Sequence, residues 1–121
     1  MSAAKSDLIR IRHISDAARK AVHFFKGKSI ADLTADEKLA LALARLVEIM
    51  GEAASKVTDE TQSRFPAIPW RAIVETRNRL IHGYDEVQLE ILWKIIVDDL
   101  PPLIADLQKI IDEAEKQQRL F

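Results

Sequence analysis

Between positions 77 and 84 the chain reads Arg77-Asn78-Arg79-Leu80-Ile81-His82-Gly83-Tyr84. Two fixed cations, an amide, an imidazole and a phenol stand together there, beside a glycine. An imidazole exchanges protons near neutral pH, and a guanidinium can hold a phosphate through two parallel hydrogen bonds. These types in one short stretch suggest a site that acts on a phosphodiester. Each residue also has a plainer reading. A histidine in the last turn of a helix is a favourable cation at the negative dipole end. Tyr84 suits a core edge, and Asn78 could bond a neighbouring helix. Arg77 could be an ion-pair partner, although not of Glu75, which lies too close in sequence to face it.

The elements that must carry these residues read as helices. Ala, Leu, Ile, Glu, Lys and Arg dominate the composition, and only three glycines occur. Ser6 is placed to cap a first helix running to about Lys26. Leu8, Ile11, Ile14 or Ser15, Ala18, Ala21 or Val22, and Phe25 form its buried stripe, and Gly27 ends it. Thr34-Ala35-Asp36-Glu37 reads as a capping box opening a second helix to about Val57. Leu39, Leu43, Leu46, Val47, Met50, Ala54 and Val57 turn inward on that helix. Gly51 sits in its middle, where glycine costs about 0.5–1 kcal/mol relative to alanine. Close approach of another backbone would explain it, as would a surface accident.

Residues 58–69 form a connection with room for one helical turn. Pro69 has the character of a first helical position, opening a third helix from about Trp70 to His82 that stops at Gly83. A fourth helix begins near Glu86 and carries Leu89, Leu92, Trp93, Ile96 and Leu100. Pro101-Pro102 either kinks it or separates it from a last segment with Leu103, Leu107, Ile110, Ile111 and Ala114. Short links between amphipathic helices imply an all-α, up-and-down antiparallel bundle: four main helices plus a shorter or kinked C-terminal segment. The expectation is one helical domain over residues 1–121.

On a continuous helix, Arg77 and His82 would lie about 140° apart around the axis and about 7.5 Å along it. Asn78 and His82, at i,i+4, would share a face, as would Arg79 and His82 at i,i+3. Arg77 would then have to reach around, meet His82 where the helix unwinds near Gly83, or meet a second copy of the motif across a dimer. Tyr84 would follow the cap, where a turn could bring its hydroxyl back toward His82.

The rest of the chain narrows the chemistry. No cysteine is present, which excludes disulfides and thiolate ligands or nucleophiles. Glycine-rich phosphate loops, serine elbows and zinc-binding spacings are missing. His13 and His23 have no companion at ligand spacing that singles them out, and read as surface or core-edge residues. Asp98-Asp99 has no histidine partner in sequence, so no metal site is expected there. Trp70 and Trp93 read as core or interface anchors. Net charge is −1, but residues 1–26 carry six Lys/Arg against two Asp, and residues 64–82 four Arg against one Glu. Residues 85–118 carry nine Asp/Glu against three Lys. A basic face that includes the motif can follow, or merely well-solvated helices. Met1 to Asp7 lacks a signal-peptide apolar run, and no window nears the roughly 20 apolar residues of a membrane span. A soluble, cytoplasmic protein is the expectation.

The spacing Arg-x4-His-x-Tyr, carried by Arg77, His82 and Tyr84, resembles the signature of HepT-type proteins in the HEPN superfamily. Ile49-Met50-Gly51-Glu52-Ala53, Phe65-Pro66-Ala67-Ile68-Pro69-Trp70-Arg71 and Asp98-Asp99-Leu100-Pro101 are similar to that family as well, so the resemblance covers most of residues 35–105. It implies a HEPN-like helical bundle that pairs as a homodimer, with two Arg-x4-His motifs facing one another in a composite cleft. It further implies a metal-independent ribonuclease, needing no cofactor, that is the toxin of a toxin–antitoxin pair. The implied partner is a small MNT-type nucleotidyltransferase that silences the toxin by transferring AMP onto the motif tyrosine, here Tyr84.

The dimer then has a chemical reason. Attack by the RNA 2′-hydroxyl needs a base for its proton and an acid for the departing 5′-oxygen. One motif supplies one imidazole, and a two-fold axis supplies two. Arg77 would stabilise the charge of the phosphorane-like transition state. Asn78 could orient the phosphate or His82, and Arg79 could track the RNA backbone. A product with a 2′,3′-cyclic phosphate follows. Two other classes stay open. One is a non-catalytic subunit that binds nucleotide or RNA for an MNT partner; the other is an interaction bundle whose motif is only a helix cap.

Overall fold

The computed structural model describes residues 4–82 and 86–120, without the side chains of residues 81, 82, 86 and 120. Its elements are α1 (Lys5–Phe25), α2 (Ile30–Ala35), α3 (Glu37–Ser55), α4 (Asp59–Arg64) and α5 (Trp70–Leu80). They continue with β1 (Ile81–His82), β2 (Glu86–Val87), α6 (Leu89–Lys94), a π-helical turn (Ile95–Asp99) and α7 (Leu100–Leu120). The protein is an all-α bundle with one two-residue antiparallel strand pair set into it. Helix α1 packs on α3 and α7, and α3 packs in turn on α5. Ile11, Ile14, Leu43, Val47, Leu80, Leu92, Leu100 and Leu107 form the fully shielded centre they share. Among the described residues no helix is long and apolar enough to cross a membrane.

The stripe predicted for α1 is buried, with Ile14 and Ser15 both inside and Ala21 rather than Val22, and Gly27 follows its end with φ at +76°, the left-handed conformation that stops a helix. The helix starts differently. Ala4, not Ser6, is the N-cap, and Ser6 is an exposed residue of the first turn. The second start also shifts. Thr34 lies inside α2, its hydroxyl donating to the Ile30 carbonyl at 3.3 Å. Asp36 caps α3 instead, accepting from the Leu39 amide at 3.1 Å. An aspartate two residues on competes with the threonine as a cap, and the extra turn of α2 buries Leu33.

Two boundaries move near the motif. Helix α5 ends at Leu80 rather than His82, and Ile81 and His82 pair with Val87 and Glu86. The Gln88 amide donates to the Leu80 carbonyl at 2.7 Å, closing the pair onto the helix end. Residues 86–87, expected to open the fourth helix, are therefore its partner strand. The predicted cap at Gly83 lies outside the described residues. Farther on, Pro101-Pro102 separates nothing. Both prolines fall in the first turn of α7, after a π-turn in which the Leu100 amide donates to the Ile95 carbonyl five residues back. Prolines have no amide to place, and the wider register absorbs their missing bonds within a continuous helical run.

Two contacts hold the parts that position α5. Asp7 of α1 is buried and accepts from the Thr58 amide at 3.1 Å, the Thr58 hydroxyl at 2.6 Å and the Thr61 hydroxyl at 2.5 Å. It thereby ties α1 to the start of α4. The second is Gly51 of α3. A Cβ there would meet the Ile73 carbonyl oxygen at 3.0 Å and that of Val74 at 3.5 Å. The glycine is thus explained by close approach of the α5 backbone.

Gly51→Ala should destabilise the fold by about 1–2 kcal/mol, crowding outweighing alanine's better helix propensity; denaturant unfolding checks this, and a more stable variant would contradict it. Asp7 gives a pH prediction. Burial pushes its carboxyl upward, but the bonds from Thr58 and Thr61 outweigh that and leave it below the usual carboxylate range. Its stabilisation is therefore present above about pH 4, the unfolded value, and is lost as pH falls through the folded one. Asp7→Ala should cost about 2–4 kcal/mol at pH 7, and the gap from wild type should narrow below about pH 4. A gap independent of pH would contradict the ionised role.

Candidate functional site

Helix α5 buries Trp70, Ile73, Thr76 and Leu80, the 3-3-4 spacing of a single inward face. Trp70 fixes its entry by donating from Nε1 to the Phe65 carbonyl at 3.0 Å. The Thr76 hydroxyl donates back to the Ile73 carbonyl at 2.5 Å. With Thr76 inward, a rotation of about 100° per residue turns Arg77 to one flank, Asn78 outward and Arg79 to the opposite flank. All three are exposed. The structure thus displays the three residues but does not gather them on one face.

The flanks differ in chemistry. On one, Arg77 Nε lies 3.8 Å from Glu48 Oε1 of α3. Glu48 Oε2 lies in turn 3.5 Å from Arg45 Nη1, and Arg45 is also 3.7 Å from Glu52. On the other, Arg79 lines a groove of about 520 Å³ between α5 and the π-turn and α7. Val47, Ile73 and Leu103 line it too, as do Asp98, Asp99 and Asp106. The basic stretch 64–82 is thus largely matched by acids, since Arg64 pairs with Glu60 and Arg71 with Glu75, each at 3.2 Å.

His82 comes from extended backbone, not from α5. The helical relations expected between His82 and Asn78 or Arg79 therefore do not hold, because pairing with Glu86 draws the chain out of the helix two residues early. Of the three routes by which Arg77 could meet His82, reaching around a continuous helix is removed. The His82 side chain and Tyr84 lie outside the described residues. His13 and His23 are exposed on α1. No group of three or more His, Asp or Glu side chains able to hold a metal occurs among the described residues.

Sequence reading missed the acidic partners. Glu48 stands 29 positions before Arg77, and only the α3–α5 contact brings them together. The hint in the sequence is Gly51, which marks where α3 is approached, one turn from Glu48.

Comparison with known proteins finds relatives by sequence. A protein of Thermococcus cleftensis named "Probable ribonuclease HepT" is 31% identical over 100 residues, covering 83% of this chain and 91% of that protein. Two other relatives carry RNase in their names. One, from Caldanaerobacter subterraneus subsp. tengcongensis, is 30% identical over 85% of this chain and 92% of its own length. The other, from Methanocaldococcus jannaschii, is 30% identical over 78% and 87%. No solved structure gives a significant match. The model of the family described as "Ribonuclease HepT-like" matches residues 14–110, and the chain belongs to that family.

Proposed function

We propose that this protein is a metal-independent endoribonuclease that cleaves RNA by attack of its own 2′-hydroxyl. The observation that carries the reading is that a member of the HepT-like ribonuclease family holds Arg77 exposed at the end of α5, with His82 following on a short extended segment. Arg77 and His82 thus stand on adjoining pieces of backbone, which supports a phosphate-binding role for the first and a proton-transfer role for the second. The relatives' ribonuclease names support RNA as substrate.

In the proposed reaction, one His82 takes the proton of the 2′-hydroxyl as its oxygen bonds to phosphorus. A second imidazole protonates the 5′-oxygen as the P–O5′ bond breaks, leaving a 2′,3′-cyclic phosphate and a 5′-hydroxyl. Because one chain carries one such histidine, the site is composite and the working unit is a homodimer. Arg77 stabilises the added charge on the phosphoryl oxygens, and Asn78 orients the phosphate or His82. Arg79 is a supporting cation. Arg79 shares its groove with Asp98, Asp99 and Asp106, whose negative potential opposes an arriving phosphate, so it is the weaker phosphate ligand of the two arginines.

Regulation follows the family pattern in this reading. The protein is the toxin of a pair whose antitoxin is an MNT-type nucleotidyltransferase. Attack of the Tyr84 hydroxyl on the α-phosphorus of a nucleoside triphosphate, with release of pyrophosphate, would set AMP beside the motif and block it.

With RNA and excess EDTA, His82→Ala should reduce cleavage by about 10²–10⁴-fold, and Arg77→Ala should cost more than Arg79→Ala. Undiminished cleavage by His82→Ala would remove it from the mechanism. AMP binding retained without cleavage by the unmodified wild type would favour the non-catalytic subunit. Tyr84→Phe should keep cleavage and escape silencing by the partner enzyme with ATP, read by intact mass and residual activity. A silenced phenylalanine variant would place the modification elsewhere.

A further inference from the structure

The contact between Arg77 and Glu48 has a shape that an ordinary interhelical ion pair does not require. Glu48 spreads its two carboxylate oxygens between two guanidinium groups on different helices. Oε1 faces Arg77 Nε at 3.8 Å and Oε2 faces Arg45 Nη1 at 3.5 Å. One anion thus sits between two cations, an arrangement that a phosphate with its several oxygens would also satisfy. The carboxylate is the most shielded of the three, with 25% of its side chain exposed against 60% for Arg45 and 68% for Arg77. An arriving anion therefore meets the guanidinium groups before it meets Glu48.

The pair is also loose. At 3.8 Å the Arg77 contact is longer than a hydrogen bond, which falls near 2.7–3.2 Å. An ion pair this open to water contributes about 0–1 kcal/mol, so a better-placed anion can displace it. Backbone packing fixes the place. Gly51 meets the Ile73–Val74 carbonyls, and one turn back on α3 Glu48 meets Arg77, one turn forward on α5. The two helices run antiparallel there, and their closeness brings a side chain of α3 to the motif. Among the described residues, Glu48 is the one carboxylate within ion-pair distance of Arg77.

Resting on the ribonuclease reading above, we infer that Arg45 and Arg77 form a cradle for an RNA phosphate and that Glu48 occupies it as an internal stand-in until RNA displaces it. Arg45, on α3 and far from the motif in sequence, thereby joins the RNA-binding surface. Glu48 is a positioning residue. It holds the Arg77 guanidinium at the α3–α5 edge while the site is empty and competes with substrate for it.

The test measures binding of a 2′-O-methyl oligoribonucleotide, which has no free 2′-hydroxyl to attack and reports affinity alone, by fluorescence anisotropy. Glu48→Gln keeps the side-chain shape and removes the charge. It should tighten binding about two- to fivefold, the span over which an exposed ion pair can compete. Glu52→Gln removes the same charge one turn along α3, where among the described residues it pairs with Arg45 and not with Arg77, and should tighten binding less. Arg45→Gln should weaken binding. In an Arg77→Gln background the gain from Glu48→Gln should largely disappear, which a general change in surface charge would not produce. Equal gains from Glu48→Gln and Glu52→Gln, or a full gain without Arg77, would overturn the cradle. Cleavage of RNA by the wild type beside unaltered binding by Glu48→Gln would sink this inference alone. Neither cleavage nor binding by the wild type would sink it together with the ribonuclease reading.

Discussion

The approach of α3 to α5 at Gly51 is the constraint on which the motif's surroundings depend. A Cβ there would press on the Ile73 carbonyl oxygen at 3.0 Å, so a glycine lets the two helices settle at this distance without crowding. Once they do, Val47 and Met50 join Ile73 in the shared core. The register then decides which residues of α5 face α3 and which turn away. Arg77 emerges beside Glu48, Arg79 emerges beside the groove formed with the π-turn and α7, and Asn78 faces outward. One packing contact thus distributes the polar residues of the motif.

That distribution changes how the two arginines are to be read. In sequence they look alike, two cations separated by one residue. In the fold one meets a glutamate lying between two guanidinium groups, and the other lines a groove that also carries three aspartates. Phosphate recognition favours cations that an anion can reach and that stand where few acids lower the local potential. By that standard Arg77 is the better placed, and the proposed division of work between the arginines follows from which flank of α5 each occupies.

Much of the fold was legible in the sequence because it rests on periodicity. The α1 stripe, the inward face of α3 and the stop at Gly27 are local patterns with one physical solution. The tight contact at Gly51 was legible as well, since glycine inside a helix needs a reason. Element ends were harder. Thr34 and Asp36 both offer a capping oxygen within two residues, and packing of Leu33 settles the choice. The early end of α5 depends on pairing with residues 86–87, which helix periodicity does not register. The prolines at 101–102 read as a break because the π-turn that accommodates them has no sequence pattern of its own. For the site, types and spacing pointed to Arg77 and His82, whereas Glu48 and Arg45 required the fold.

The central claim is chemical: that the motif of this HepT-like protein directs the RNA 2′-hydroxyl onto its own phosphodiester. The most direct measurement is the mass of the fragments released from a defined oligoribonucleotide by purified, unmodified protein in excess EDTA. The proposed mechanism predicts upstream fragments ending in a 2′,3′-cyclic phosphate, one water lighter than a 3′-phosphate, and downstream fragments beginning with a 5′-hydroxyl. Fragments bearing 5′-phosphates and 3′-hydroxyls, or no cleavage at all, would contradict it.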